Sequence, residues 1–229
     1  VLRPEREIQN PKSDKAIVIS SSIVVKILCI SDTEVSQLEN AANLRRHYSD
    51  IDVIVSCGDM SVAYLDFIST LLGKPLMYVR GNHDEEYDRN PPGGINLHEN
   101  MTSFKGLTFV GLEGCVRYNK GKIQYTQSEM RHKVVRMAPQ LRWQRWRKGH
   151  GVDVFVAHSP PRGIHDIEDD FPHHGFDGFV KFLDWYRPRY MLHGHVHTWD
   201  RRRDTETQYK DTMVMNINPY TVLEIEPLE

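Results

Sequence analysis

The chain has 229 residues, of which 39% are hydrophobic, and its 29 Lys plus Arg against 31 Asp plus Glu give a formal net charge of −2. These totals fit one globular domain with a full core, and the near-balance of charge removes any global electrostatic pull towards nucleic acid or an anionic membrane. The apolar stretch from Ala16 to Ile30 is broken by three serines and Lys26, so it is too short and too polar to span a bilayer; the odd, widely spaced cysteines Cys29, Cys57 and Cys115 read as reduced core residues of a cytoplasmic protein.

Residues 1–26 read as an N-terminal arm and leading strand, and residues 27–229 as one domain. Apolar runs at Ile27–Ile30, Ile51–Val55 and Leu76–Val79 predict strands buried on both faces. Between them lie helix-compatible segments, Ser36–Tyr48 and Ser61–Leu72, each opened by a serine suited to cap a helix. The early chain is therefore β-α-β-α-β, a sheet with helices packed outside it. Asp84–Asn96, with its PPGG, reads as a long loop, and Leu107–Leu112 as a further strand.

Ser128–Lys148 predicts a helix that Pro139 kinks or divides. Met130, Val134, Met137 and Leu141 recur on one side of it, while arginines, lysines, Trp143 and Trp146 crowd the rest. An amphipathic surface helix is the simpler reading, and a nucleic-acid or acidic-partner surface the rival one. Val152–Ala157 and Tyr190–Leu192 are buried strands on either side of the loop Ser159–His174 and the helix-like run Phe176–Tyr186. Asp200–Asp211 is polar and reads as loop; Thr212–Ile217 and Thr221–Ile225 close the chain as strands around an Asn218-Pro219 turn. Two sheets packed face to face accommodate all of these.

The chemistry is concentrated just past the strand tips. Asp32 and Glu34 come after the first strand, Gly58-Asp59 after the second, Gly81-Asn82-His83-Asp84 after the third, His158 after the run ending at Ala157, and Gly194-His195-Val196-His197 after the run ending at Leu192. In parallel-type sheets the C-terminal strand ends face a common crevice, so these side chains are expected to converge. Carboxylate, amide and imidazole without thiolate suit Mn, Fe, Ni, Zn or Mg. The donors outnumber what one ion needs, which favours a pair of divalent ions bridged by Asp59.

Taken together, these motifs resemble the calcineurin-like metallophosphoesterase superfamily, whose pattern runs D-x-H, GD, GNH(D/E), an isolated H and GHxH. The resemblance implies an α/β fold, a four-layer α/β/β/α sandwich of two mixed sheets flanked by helices. It also implies phosphoester hydrolysis by in-line attack of a metal-bridging hydroxide. Carried onto this chain, it assigns Asp32, Asp59 and His197 to one metal and Asp59, Asn82, His158 and His195 to the other. His83 becomes the electrostatic stabiliser or general acid, with Asp84 orienting its ring.

Glu34 departs from the pattern, standing where the family usually has histidine. Either it ligates through oxygen and favours a harder ion such as Mn or Mg, or it swings away and leaves the first metal weak. Ligation is the expected outcome. Arg162, stiffened by Pro160 and Pro161, and His174 are the candidate substrate contacts. The expected activity is a phosphodiesterase on a small or nucleotide-like phosphodiester, with Mn the foremost cofactor. A non-catalytic protein-binding scaffold on the same fold is the alternative, and a nuclease a further one. A small phosphoester is the expected partner, nucleic acid a less favoured one, and a membrane is not expected.

Overall fold

The structure, a computed structural model, describes residues 24–149, 151–197 and 204–228. The expected N-terminal arm lies outside them up to residue 23, and Val25 and Lys26 already belong to the first strand.

Three parallel strands, β1 (Val25–Ile30), β2 (Val53–Ser56) and β3 (Leu76–Tyr78), are linked by α1 (Ser36–Glu39), α2 (Ala41–His47) and α3 (Val62–Leu72). The single helix expected over Ser36–Tyr48 is two, because Asn40 adopts an extended backbone and its side chain accepts from the Asn43 N–H at 3.0 Å, starting α2 afresh. α3 begins as the sequence predicts, with Ser61 accepting from the Tyr64 N–H at 3.2 Å, and stops at Gly73 in the left-handed conformation. Next come β4 (Ile95–Asn96), β5 (Met101–Phe104), β6 (Leu107–Leu112), and the small pair β7 (Cys115–Val116) and β8 (Gln124–Tyr125).

The basic segment divides into α4 (Gln127–Arg136) and α5 (Ala138–Lys148). Pro139 stands in the first turn of α5, where a missing N–H breaks no helical bond. The chain finishes with β9 (Val154–Ala157), α6 (Asp177–Tyr186), β10 (Tyr190–His193), β11 (Glu206–Tyr209), β12 (Thr212–Asn216) and β13 (Tyr220–Ile225). β11 occupies part of the expected polar loop, pairing antiparallel with β12 across a Lys210-Asp211 turn.

One sheet has the order β13-β1-β2-β3-β4 and the other β11-β12-β10-β9-β6-β5. Both are mixed, with β13, β11 and β5 antiparallel to their neighbours. Alternation along the strands sorts side chains into three apolar layers. Ile27, Cys29, Val53, Val55, Phe109, Val154, Val156 and Leu192 fill the space between the sheets. Leu28, Ile30 and Ile54 face α1, α2 and α3 through Leu38, Leu44 and Leu65; Val110, Phe155 and Met191 face α4, α5 and α6 through Val134, Leu141 and Phe179. The result is the expected α/β/β/α sandwich. Each fully buried aliphatic or aromatic side chain contributes roughly 1.5–3 kcal/mol, so the layers hold the two sheets in fixed register and bring their C-terminal edges side by side.

Candidate functional site

β1, β2 and β3 end on the same edge as β9 and β10, and the loops leaving these five tips meet in one cleft of about 370 Å³. Asp32, Asp59, Asn82, His83, His195 and His197 line it, joined by Tyr118, Pro172 and His173. Three of these residues hold left-handed backbones, Asp32 at φ 61°, Asp59 at φ 55° and His195 at φ 69°. Such conformations cost a non-glycine residue about 1–3 kcal/mol and persist where the surroundings over-determine them. Here they let each strand end abruptly and turn its side chain into the cleft.

Two glycines make the close approaches that this needs. A Cβ on Gly81 would overlap the Asp59 carboxylate, and one on Gly194 would strike the Ser31 hydroxyl and the Asp32 carboxylate. Gly194 therefore lets the tip of β10 come close against the tip of β1. The neighbouring His195 N–H donates to both Asp32 oxygens, at 3.0 and 2.9 Å, tying the tip of β10 to the tip of β1.

His158 is the most fixed of the donors. It is fully buried, and its Nδ1 lies 2.9 Å from the Cys57 carbonyl, an acceptor that fixes the proton on that nitrogen. Nε2 then faces Asn82 Oδ1 at 3.0 Å and Asp59 Oδ2 at 3.4 Å. Burial disfavours the charged ring, but the Asp59 carboxylate beside it wins and holds the His158 pKa up at about 9. Burial likewise opposes the Asp59 carboxylate, and the His158 charge with the His83 N–H bond draws its pKa well below the usual range. His195 behaves oppositely: burial, with the His158 charge adding, pushes its pKa down to about 3, so it stays neutral. Its Nε2 donates to the Pro172 carbonyl at 2.9 Å.

Asp59, His158 and His195 present ligand atoms within 4.8 Å of one another, with Asn82 Oδ1 against the same His158 nitrogen. Carboxylate, amide oxygen and two imidazoles, three of the four residues buried, fit a divalent transition-metal ion, which displaces protons to bind such donors. Asp32 and His197 line the other end of the cleft, the His197 ring 3.4 Å from the Asn218 amide. Asp32 is half-buried, and desolvation of its carboxylate raises its pKa.

Four sequence expectations find different places. Glu34 is exposed and points away: its carboxylate accepts from the Ser61 N–H at 3.1 Å, serving the free N-terminus of α3, and it borders a separate hollow with Glu39 and Phe67. Asp84 does not orient the His83 ring. It is buried and accepts from the Gly81 N–H at 2.7 Å and the Asp59 N–H at 2.8 Å, clamping the two loops together. Burial and the Asp59 charge lift its pKa to about 6. Arg162 turns back within its loop, 3.7 Å from Asp166, and His174 donates from Nε2 to the Glu168 carbonyl at 2.8 Å with its ring edge-on to Phe171. The histidine in the cleft is its neighbour His173, whose ring centroid is 4.9 Å from that of His195 and whose Nδ1 is 2.6 Å from Asp170.

His83 reaches the rim with an exposed ring, its N–H donating to Asp59 Oδ1 at 2.8 Å. Tyr118, which no motif announces, sets its hydroxyl 3.4 Å from the Asn82 amide nitrogen. Just upstream, Arg80 holds the base of the loop: its guanidinium contacts Glu113 at 2.7 and 3.0 Å and Asp88 at 2.6 Å, and Tyr125 adds a hydroxyl to Glu113 at 2.6 Å.

Acidic, amide and imidazole donors thus meet at the joined edges of two stacked sheets, with the exposed His83 ring on the rim. A family model described as calcineurin-like phosphoesterase matches residues 25–199, and the chain belongs to that family. One solved crystal structure superposes with a TM-score of 0.63 at 16% identity, over 88% of this chain and 95% of the other. The crystal structure of TT1561 of Thermus thermophilus gives a TM-score of 0.60 at 15% identity, over 90% and 100%. GAP50, the anchor in the inner membrane complex of Plasmodium, gives 0.51 at 12% identity, over 84% and 71%. At these identities the likeness is one of fold. No curated protein sequence matches. No helix among the described residues is long and apolar enough to cross a membrane.

Proposed function

We propose that the protein hydrolyses a small or nucleotide-like phosphodiester. The observation that carries this reading is the buried convergence of Asp59, Asn82, His158 and His195, with the unencumbered His83 ring beside them on the same cleft. Bound divalent cations, manganese foremost, would supply Lewis-acid stabilisation of phosphoryl charge and a water of lowered pKa. Asp59, Asn82, His158 and His195 would hold one ion, and Asp32, Asp59 and His197 the second, with no help from Glu34. His83 stands where it can give a proton to the departing oxygen, its backbone fixed by the bond to Asp59. Tyr118 and His173 flank the cleft and are the substrate-facing polar groups in place of Arg162 and His174. A cleft of about 370 Å³ has room for a small ester. Three buried free thiols support a reducing, cytoplasmic setting.

Metal analysis together with hydrolysis of bis(p-nitrophenyl) phosphate in Mn tests this. Turnover in the wild type that disappears in both Asp59→Asn and His83→Ala is the expected result. The displaced Glu34 favours one rival, a protein-binding scaffold with a depleted metal site; purified protein that holds no metal after Mn loading and turns over no diester would establish that rival instead.

A further inference from the structure

Away from the catalytic cleft, and sharing none of its lining residues, α5 and the end of α6 enclose a larger cleft of about 740 Å³. Its walls are apolar and aromatic, Leu141, Trp185 and Tyr186, and its rim carries Arg142, Arg145 and Arg187. Arg187 pairs with Asp211 at 3.2 Å, whereas Arg142 and Arg145 are exposed and make no ion pair among the described residues. Two free guanidiniums above an aromatic wall select a segment that offers carboxylates and a ring together: carboxylates take guanidinium hydrogen bonds, and the ring covers the apolar surface.

Such a segment exists on this chain. In the loop Ile167–Phe171, Glu168 and Asp169 are exposed, the Asp170 side chain is 46% exposed, and Phe171 is 55% exposed. Backbone bonds from Ile167 to His173, Asp170 to Ile167 and His173 to Asp170, at 3.2, 3.1 and 2.9 Å, preform the loop, so docking it orders little chain. Glu34, near Glu39 and Phe67, is acidic and has an aromatic neighbour too, but its carboxylate already accepts from the Ser61 N–H at 3.1 Å. The loop precedes the start of α6 and the cleft lies at its other end, about 15 Å away across ten residues, so one molecule cannot fill its own cleft.

We propose that the Ile167–Phe171 loop of one copy docks into the α5/α6 cleft of a second copy, a head-to-tail contact carried by acid against arginine and Phe171 against Trp185 and Tyr186. Nucleic acid fits this cleft less well, because Asp184 in its wall and Asp211 against Arg187 interrupt any basic track for phosphates. The contact joins two different surfaces, so it propagates from copy to copy instead of closing on itself as a two-fold dimer does. A small interface with solvent-facing ion pairs associates weakly and loosens with salt. It is independent of the catalytic reading.

Sedimentation velocity of the full chain from about 10 to about 300 µM at low salt is the test. Wild type is expected to show a weight-average sedimentation coefficient that climbs with concentration and falls back in high salt. R142E/R145E and E168R/D169R should each weaken association about tenfold or more. An equimolar mixture of the two variants should associate again, since it offers one wild-type cleft a wild-type loop and one reversed cleft a reversed loop. A wild type that stays monomeric throughout overturns the proposal, as does association that survives either charge reversal. Failure of the mixture to associate while both variants keep their native circular dichroism also overturns it.

Discussion

The two ends of the catalytic cleft are built differently. At the end formed by β2, β3 and β9, His158 is wholly buried, pinned at Nδ1 by the Cys57 carbonyl and held within 3.0 Å of Asn82, while Asp59 is fixed by His83. At the end formed by β1 and β10, the Asp32 carboxylate is committed to the His195 N–H, His197 stands exposed, and Glu34 has left to serve α3. The first end is built mostly of buried donors, and the second of a half-buried aspartate and an exposed histidine. Donors already oriented lose little freedom on binding, so the two ends should differ in affinity for a cation by more than their residue types suggest. A single residue after β1 accounts for much of this, because a glutamate has the reach and charge to satisfy a helix N-terminus that a histidine in its place would leave alone.

The largest effect should come from breaking the strong end. Asp59→Asn removes the carboxylate common to both ends, and diester turnover should fall by about 10³-fold or more, about 4 kcal/mol, with loss of bound metal by elemental analysis. Next comes the support beneath that end. Glu113→Gln leaves the mostly buried Arg80 with Asp88 as its one charged partner among the described residues, and urea unfolding should show a loss of about 3 kcal/mol at neutral pH. Burial opposes the Glu113 charge, but the Arg80 guanidinium prevails and holds its pKa below the ordinary 4.5. That contribution is therefore complete above pH 4.5 and fades as pH falls through the lower folded value, so the stability difference between wild type and variant should shrink in acid.

Repairing the weak end should have a smaller effect. Glu34→His returns an imidazole to the tip of β1 and frees the Ser61 N–H; turnover at limiting Mn should rise about threefold to tenfold. Unchanged or reduced turnover would mean that Glu34 leaves α3 to act as a ligand when metal is present. The smallest effects separate two adjacent histidines. His173→Ala should lower turnover about tenfold, and His174→Ala should change it by less than about twofold, since only His173 faces the cleft.

The sandwich and most of the cleft were legible because they rest on local signals. Runs of β-branched and long aliphatic residues mark the buried strands, and each tip motif comes directly after its strand, so convergence needed only the direction of the strands. The fate of Glu34 was not legible, because its partner, the Ser61 N–H, lies 27 residues on and is brought near by folding alone. The role of Asp84 was hidden for a like reason: its carboxylate bonds the Asp59 N–H across to the next loop instead of the adjacent ring. Exchanging His173 for His174 is a register error in a short 3-10 turn, Phe171–His173, which carries no periodic pattern. Tyr118 comes from the loop after β7 and had no sequence signal at all.

The most direct measurement is anomalous diffraction from crystals soaked in manganese, with data on either side of the metal edge. A strong peak bounded by Asp59, Asn82, His158 and His195 is expected, with a weaker or more easily washed-out peak beside Asp32 and His197. No peak among the first four residues, or a stronger one coordinated by Glu34, would contradict it.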